Sequence, residues 1–424
     1  MPDSDGAPVP ELVEHLFRRQ AGQMISTLTR ILGARNMDLA EEVVQEALLK
    51  ALQLWPFRGV PENPAAWLIQ VAKNRALDHL RRHSTLASKT AELQKEFAPP
   101  LDHHPRPAGA LADDELAMMF MCCHPAIPRE SRVALTLKTV GGFGVREIAR
   151  AFLSLEPAVA QRLVRAKRLI RDANLPIEMP QPGELPGRIE SVLETIYLLF
   201  NEGYSALEGE WLVRDDLCEE AVRLASLVAN HPYTGTPKAH ALLALLLLQS
   251  ARLPARTSSR GDLLLLRDQD RTLWDRDLIF EGLRRLASSE AGGEISEYHL
   301  QAGIAAAHAL AASYAETDWE QILSLYDRLM EINPSPVVAL NRAVALSQLR
   351  GPEAGIHAIE EIVDHPALQR YPLLPATLAE LWEELGDREK AASYYAAALS
   401  FPCTEPVRRF LDGRLAALGP CNSR

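Results

Sequence analysis

The sequence predicts an all-α protein, and two observations carry that prediction. Nearly every stretch between proline-rich segments places apolar residues at the three- and four-residue spacing of a helix. No stretch of strand length alternates apolar and polar residues with β-branched side chains. A length of 424 residues is typical of two or three domains, so we expect several helical bodies in one chain.

Two proline-rich segments divide the chain. "APPLDHHPRPAG" covers 98–109 and "LPIEMPQPGELPG" covers 175–187, and both are typical of exposed linkers. We therefore expect domains at 10–97, 110–174 and 188–420. In the first domain, capping residues and Pro64 predict helices over 11–32, 38–55 and 63–96.

The segment from Glu156 to Arg171, "EPAVAQRLVRAKRLIR", predicts an amphipathic basic helix. Its apolar positions form one stripe: Val159, Leu163, Ala166 and Ile170. Arginines fall across the other side: Arg162, Arg165, Arg168 and Arg171. The short helix "VREIARAF" and the turn "LSLE" precede it, which is the layout of a helix-turn-helix. Between a solvated basic face and a helix that lies in a DNA major groove, this context favours the second.

Charge is unevenly distributed along the chain. Residues 1–175 carry 23 Lys and Arg against 20 Asp and Glu, a net charge of +3, whereas residues 176–424 carry 22 against 36, a net charge of −14. DNA would repel the acidic part, so we expect nucleic-acid binding in the first part. Short apolar runs, the lack of a basic leader and five unpatterned cysteines predict a cytoplasmic protein without a membrane segment or disulfide framework.

Two stretches resemble bacterial sigma factors of the extracytoplasmic-function type. "DLAEEVVQEALLKALQLWPFRG" with "NPAAWLIQVAKNRALDHLRR" resembles region two of that family, and "IPRESRVALTLKTVGGFGVREIARAFLSLEPAVAQRLVRAKRLIR" resembles region four. The resemblance covers about residues 10–173. It implies a helical domain that binds core RNA polymerase and the promoter −10 element, and a helix-turn-helix domain that binds the −35 element. Leu153, Ala158 and Gln161 depart from the usual Gly, Thr and Ser, which leaves the −35 preference open.

The helix over 38–55 carries a mixed polar and apolar face that can dock on a partner helix. The resemblance implies that this partner is the clamp coiled coil of core RNA polymerase. The candidate polymerase-binding residues are Asp38, Glu41, Glu42, Gln45, Glu46 and Leu49. The alternative is an ordinary acidic helix face. Val43, Ala47 and Leu48 are expected in the core.

The next stretch offers groups that can hold single-stranded DNA. An asparagine supplies a donor and an acceptor together, which suits a base held out of the stack. The resemblance implies that "FRGVPENPAAW" captures an unstacked −10 base beside Asn74, while cations hold phosphates. The candidate −10 residues are Arg58, Trp67, Lys73, Asn74, Arg75, Arg81 and Arg82. For Trp67 the alternative is a core anchor, and Asp78 is expected to pair with an arginine one turn away.

In the basic helix, Arg162, Arg165 and Arg168 are the candidates for base edges or phosphates of the −35 element. Lys167 and Arg171 are expected at its periphery, in contact with phosphate or solvent. The run "MCCHP" at 121–125 invites a zinc site or a reactive thiol, but adjacent cysteines on a helix point about 100° apart, and buried thiols are the simpler interpretation.

Residues 298–402 contain an internal repeat. "TDWEQILSLYDRLMEINP" and "GDREKAASYYAAALSFP" align on Asp318 and Asp387, 69 residues apart, which is about two tetratricopeptide periods. Tyr326 and Tyr395 follow at matching positions, and "VVALNRAVALSQLRGPEAGIHAIEEI" fits the unit between them. The chain thus resembles a sigma subgroup with a tetratricopeptide-like C-terminal extension.

Two other stretches combine charges with aromatic residues: "LFNEGYSA" at 199–206 and "RDQDRTLWDRDLI" at 267–279. Either stretch can form a contact surface. The alternative for 199–206 is a solvated loop, and the alternative for 267–279 is a salt-bridged helix start.

Together with these patterns, the resemblance implies a non-enzymatic sigma factor with no metal or cofactor, whose partners are core RNA polymerase and promoter DNA. The acidic domain is expected to tune activity, with contact to the sigma domains as one route. The alternative is a dimeric helix-turn-helix repressor with a repeat-type sensor domain. That alternative explains the basic helix and the repeats, but not the helix over 38–55 or the run from Asn74 to Asp78.

Overall fold

Helices account for the regular secondary structure of this computed structural model, which describes residues 9–82, 108–152, 154–204, 213–369 and 371–419. Within these ranges the one strand-like pairing is an isolated bridge between Thr257 and Leu263. The expected all-α class is therefore confirmed. The chain divides into two compact units, residues 1–195 and 196–424.

Three helices open the first unit: α1 (Val9–Leu32), α2 (Met37–Arg58) and α3 (Pro64–Arg82). The far half of the expected helix over 63–96 lies outside the described residues. Asn63 caps α3, because its side-chain Oδ1 accepts a hydrogen bond from the backbone N–H of Ala66 at 3.0 Å. Pro64 follows at the first helical position, where a missing N–H breaks no helical bond.

Four further helices form the helix-turn-helix part: α4 (Ala108–Cys122), α5 (Arg129–Thr139), α6 (Val145–Ala151) and α7 (Glu156–Asp172). Helix α7 packs against α5 and α6. The whole apolar stripe expected on α7 is buried: Val159, Leu163, Ala166 and Ile170. The short helix, turn and basic helix expected from the sequence are thus present.

Helix α1 packs against both halves of the unit, contacting α2 and α3 as well as α4 and α5. At Gly22 the approach is so close that a Cβ would lie 1.8 Å from the carbonyl oxygen of Val140. Nearby, Arg30 Nε lies 2.7 Å from Asp114 Oδ1, and Thr27 donates to the other carboxylate oxygen at 3.0 Å. These partners compensate the charge of Asp114, which is buried.

The two cysteines of "MCCHP" are buried at the end of α4 and the turn that follows it. Cys122 Sγ lies 3.2 Å from Thr139 Oγ1, and Cys123 Sγ lies 3.5 Å from Thr136 Oγ1. Burial raises the pKa of both thiols, which keeps them protonated and unreactive at neutral pH. The expectation of buried thiols is confirmed.

The chain continues through α8 (Leu185–Tyr204), α9 (Asp215–Asn230), α10 (Pro237–Ser250), α11 (Arg276–Ser289) and α12 (Glu297–Leu310). The leucine-rich run Ala241–Leu248 of α10 is buried, and α10 packs against α9, α11 and α12. Within the described ranges, every helix is too short or too polar to cross a bilayer.

Six helices complete the second unit: α13 (Trp319–Ile332), α14 (Pro336–Arg350), α15 (Pro352–Glu360), α16 (Leu373–Glu384), α17 (Arg388–Leu399) and α18 (Glu405–Leu418). Asp318 accepts from the amide of Gln321 at 2.9 Å, and Asp387 from that of Lys390 at 3.1 Å. The aligned aspartates therefore perform the same task, the N-cap of α13 and of α17. This agrees with a helical repeat.

The charged stretch 267–279 contains a helix start and an ion-pair cluster. Asp275 caps α11 by accepting from the amide of Leu278 at 3.0 Å. Arg267 forms ion pairs with two glutamates of α16: its Nη2 lies 3.6 Å from Glu380 Oε1, and its Nη1 lies 3.2 Å from Glu384 Oε1. The stretch thus contains a capped helix start, whereas its ion pairs join Arg267 to α16, away from that helix start. The other charged stretch, 199–206, runs past Tyr204 out of the described residues.

His308 is buried in the second unit and lines a cavity of about 230 Å³ with Tyr314, Trp319 and other residues. Its ring lies 5.3 Å from that of Trp319. Burial lowers the pKa of His308 to about 3, and the guanidinium groups of Arg252 and Arg271 act in the same direction. His308 is therefore neutral at physiological pH.

We expect Gly22→Ala to destabilise the first unit by about 1–3 kcal/mol, because the added Cβ collides with the backbone at Val140. Gly413→Ala on α18 is the matched control. A Cβ added at Gly413 meets no atom within 4 Å, so we expect a gain of about 0.5–1 kcal/mol from helix propensity. Urea unfolding followed by circular dichroism measures the free energy of unfolding of both variants. Equal changes in that free energy would contradict the close packing of α1.

We expect His308 to make the second unit less stable in acid. Its folded pKa is about 3 and its unfolded pKa about 6.5, so the unfolded chain binds the extra proton as pH falls through this interval. Stability should drop by about 2 kcal/mol from this group between pH 7 and pH 5. His308→Gln should remove that part of the pH dependence, and His357→Gln, at an exposed site, should not. Urea unfolding at pH 7 and at pH 5 gives the change in the free energy of unfolding with pH. An equal change in the two variants would contradict the role of His308.

Candidate nucleic-acid and polymerase interface

One face of α2 is exposed along the helix. Its side chains recur at three- and four-residue spacing: Asp38, Glu42, Gln45, Leu49 and Leu52. Leu49 is 58% exposed and Leu52 38%, so this face holds apolar surface that a partner can bury. Val43, Ala47 and Leu48 are buried, as expected.

Glu41 lies off this exposed face and is buried against α7. Its Oε1 lies 2.8 Å from Lys167 Nζ, and Lys167 also donates to Asp38 Oδ1 at 2.8 Å. The Lys167 side chain is only 17% exposed. Burial lowers its pKa, but the charges and hydrogen bonds of Glu41 and Asp38 outweigh burial, and the pKa is raised overall. The expected solvent exposure of Lys167 is wrong for this conformation, because α2 supplies two carboxylates.

Glu46, another candidate polymerase contact, is held by α3. Arg75 Nε lies 3.3 Å from Glu46 Oε2, and His79 Nε2 lies 3.7 Å from Glu46 Oε1. A candidate phosphate-binding arginine is thus tied to a candidate polymerase-binding glutamate. This ion pair links the candidate polymerase-binding residues of α2 to the candidate −10 residues of α3.

Among the described residues, one group brings three possible metal-ligand atoms within 4.8 Å of one another: Glu42, Glu46 and His79. Arg75 already balances the charge of Glu46, and Glu42 is exposed. The arrangement therefore does not require a cation.

The candidate −10 residues have different environments. Asn74 is exposed, and its Oδ1 accepts from Gln70 Nε2 at 3.2 Å. Trp67 is half-buried and packs on the buried Trp55, with ring centroids 5.5 Å apart, as a core anchor would. Arg58 is exposed at the end of α2, and Lys73 is half-buried. Arg81 and Arg82 end α3, but their side chains lie outside the described residues.

The outward face of α7 is a stripe at spacings of three and four residues: Gln161, Val164, Arg165 and Arg168. Arg171 is exposed further along the helix, and Arg168 is 73% exposed beside Asp172. Arg162 is partly turned away, because its Nη2 lies 3.0 Å from Glu130 Oε2 on α5. Of the arginines expected on this side, Arg165, Arg168 and Arg171 are exposed, and Arg162 is partly buried.

Two of the exposed apolar residues that were not candidates lie beside candidate DNA-binding residues. Val164 is 66% exposed within the arginine stripe, and Phe57 is 89% exposed beside Arg58. Phe57 is the first residue of the stretch that the family resemblance associates with base capture. The sequence signal that could have found these two residues is their position on the helix. Neither Val164 nor Phe57 falls on the buried apolar stripe of its helix, so each predicts an apolar side chain exposed to water.

Residues 16–85 match the Sigma-70 region 2 family, and residues 188–290 match a family of unknown function, DUF6596. The uncharacterized protein R00370 of Rhizobium meliloti is 42% identical over 352 residues, which cover 80% of this chain and 82% of that protein.

A second relative matches a shorter part of the chain. The probable RNA polymerase sigma factor RfaY of Xanthomonas campestris is 32% identical over 151 residues, 35% of this chain and 37% of that protein. No solved structure matches the chain. The region 2 match falls on α1, α2 and α3, the helices that carry the exposed α2 face and Asn74. The chain therefore belongs to one family with the Rhizobium meliloti protein, which it matches over most of its length, and the Sigma-70 region 2 match at residues 16–85 supports a place in the sigma-70 family.

Proposed function

We propose that this chain is a sigma factor of the extracytoplasmic-function type that directs core RNA polymerase to promoters with defined −10 and −35 elements. The observation that carries the proposal is that one compact unit holds two surfaces of suitable chemistry. They are the α2–α3 surface, which matches Sigma-70 region 2, and the arginine stripe of α7 in a helix-turn-helix.

The exposed face of α2 would bind core polymerase. Leu49 would be buried at the centre of the contact, with Glu42 and Gln45 at its rim. Leu49 is 58% exposed in the free chain, so burial of the remaining apolar surface would favour association.

The α3 surface would hold the melted −10 strand. Asn74 is exposed and can exchange its bond to Gln70 for the edge of an unstacked base. Phe57 adds an exposed ring on which a base can stack, and Arg58 adds a phosphate contact beside it. These roles need DNA that is already unpaired, so they act in melting and not in duplex recognition.

The α7 stripe would read the −35 element in the major groove. Arg165 and Arg168 are suited to guanine edges or phosphates, and Arg171 to a phosphate. Val164 sits between them and can contact a thymine methyl group. The acidic part of the chain after residue 175, with a net charge of −14, would repel DNA and so tune the affinity of the whole chain in the cytoplasm.

Run-off transcription tests the proposal. We expect purified core polymerase to make a defined transcript from DNA upstream of the gene only when the full chain is added. Arg165→Ala should lower its yield by about 5- to 150-fold, the effect of losing about 1–3 kcal/mol of base discrimination. Asn74→Ala should also lower the yield, and a template with an unpaired −10 region should partly restore it.

The controls are Arg388→Ala and Asn230→Ala, which change the same residue types at exposed positions of the second unit. Both should transcribe like the wild type. The sigma-factor proposal fails if no transcript forms and the chain alone protects a palindromic site, since that is the behaviour of a dimeric repressor.

A further inference from the structure

The proposed function leaves the cavity beside His308 in the second unit without a role. This cavity of about 230 Å³ is lined by residues 265–267 and by side chains of α12, α13, α14 and α16. Sites for drug-sized ligands usually measure about 300–1,000 Å³. A ligand for this cavity is therefore smaller than a drug-sized molecule.

Aromatic rings form one part of the cavity wall. The rings of His308 and Tyr314 each lie 5.3 Å from that of Trp319, in edge-to-face arrangements. Tyr326 and Ile322 also line the cavity. Because aromatic pairs in this geometry are favourable beyond the area that they bury, the wall is suited to an aromatic ring of a ligand.

A second part of the wall carries two opposite charges, Arg267 and Glu380. Their closest atoms lie 3.6 Å apart, whereas a charge-assisted hydrogen bond measures about 2.7–2.9 Å. The closer partner of Arg267 is Glu384, at 3.2 Å. Burial raises the pKa of Glu380, and the charge of Arg267 offsets this only in part. A ligand that brings its own carboxylate and ammonium group can therefore give both side chains a closer partner.

The third polar group at the cavity is the imidazole of His308. The residue is 9% exposed, and among the described residues none forms a hydrogen bond with its buried Nδ1. In a neutral imidazole one ring nitrogen donates a hydrogen bond and the other accepts one. A buried polar group without a partner is costly, and a ligand hydroxyl, which both donates and accepts, would supply one.

We propose that this cavity binds a free aromatic α-amino acid that carries a hydroxyl group, with L-tyrosine as the probe. The ligand carboxylate accepts hydrogen bonds from Arg267, and the ligand ammonium donates to Glu380. The ligand ring packs against Tyr314 and Trp319, and its hydroxyl forms a hydrogen bond with the imidazole of His308. All these residues belong to the second unit, so the proposal goes beyond the proposed function and does not rest on it.

Isothermal titration calorimetry of the full-length wild-type chain at pH 7 tests the ligand class. We expect L-tyrosine to bind with a Kd below about 1 mM. Three analogues each lack one of the groups that the site recognises: tyramine lacks the carboxylate, 3-(4-hydroxyphenyl)propionate the ammonium, and L-phenylalanine the hydroxyl. Each should bind at least about 5-fold more weakly, because one protein group is left without its partner.

Two variants test the assigned contacts. Glu380→Gln should weaken the binding of L-tyrosine by about 5-fold or more, but should not weaken that of 3-(4-hydroxyphenyl)propionate, which has no ammonium group. His308→Phe keeps a ring at the wall and should abolish the preference for L-tyrosine over L-phenylalanine. The matched controls are Glu353→Gln and His357→Phe at exposed positions of α15, which should bind like the wild type. Urea unfolding establishes that each variant is folded.

The proposal is overturned if the wild-type chain does not bind L-tyrosine with a Kd below about 1 mM, or if any of the three analogues binds as tightly as L-tyrosine. It is also overturned if folded Glu380→Gln or His308→Phe discriminates among these compounds as the wild type does. The comparison of analogues needs no variant, so it decides the matter even where a variant does not fold. Binding is measured without polymerase or DNA, so a failure of the sigma-factor proposal would leave this result unchanged.

Discussion

The first unit depends on one constraint, the position of α1 between two sets of helices. Its packing on α2 and α3 and its packing on α4 and α5 have to be satisfied by the same backbone. Gly22 permits the second contact because any side chain would enter the space of the Val140 carbonyl. The carboxylate of Asp114, satisfied by Arg30 and Thr27, fixes the register of that contact.

Much of the fold was predictable because its signals are local. The buried stripe of α7 follows from apolar spacing within seventeen residues, and the cap at Asn63 follows from the adjoining Pro64. The environment of Lys167 was not predictable, because its partner Asp38 lies 129 residues away along the chain. Helical spacing places a lysine on a side of the helix, but the partner on that side is a matter of tertiary packing.

The second unit illustrates the same division between local and long-range information. The aligned aspartates Asp318 and Asp387 indicated equivalent positions in a repeat, and both are N-caps. The environment of Arg267 depends on how its segment crosses to α16, where Glu380 and Glu384 meet it. A stretch of mixed charges in the sequence indicates that ion pairs can form, but the partners are determined by tertiary packing.

The pair between Glu46 and Arg75 has a consequence for how affinities of this chain are understood. A ligand that draws Glu46 away leaves Arg75 available for a phosphate, and a phosphate that takes Arg75 makes Glu46 available by the same factor. Because the pair is partly exposed, this factor is modest, about five-fold for about 1 kcal/mol. If Glu46 and Arg75 have the polymerase- and phosphate-binding roles expected for them, the affinity for polymerase and the affinity for DNA are therefore linked through this pair.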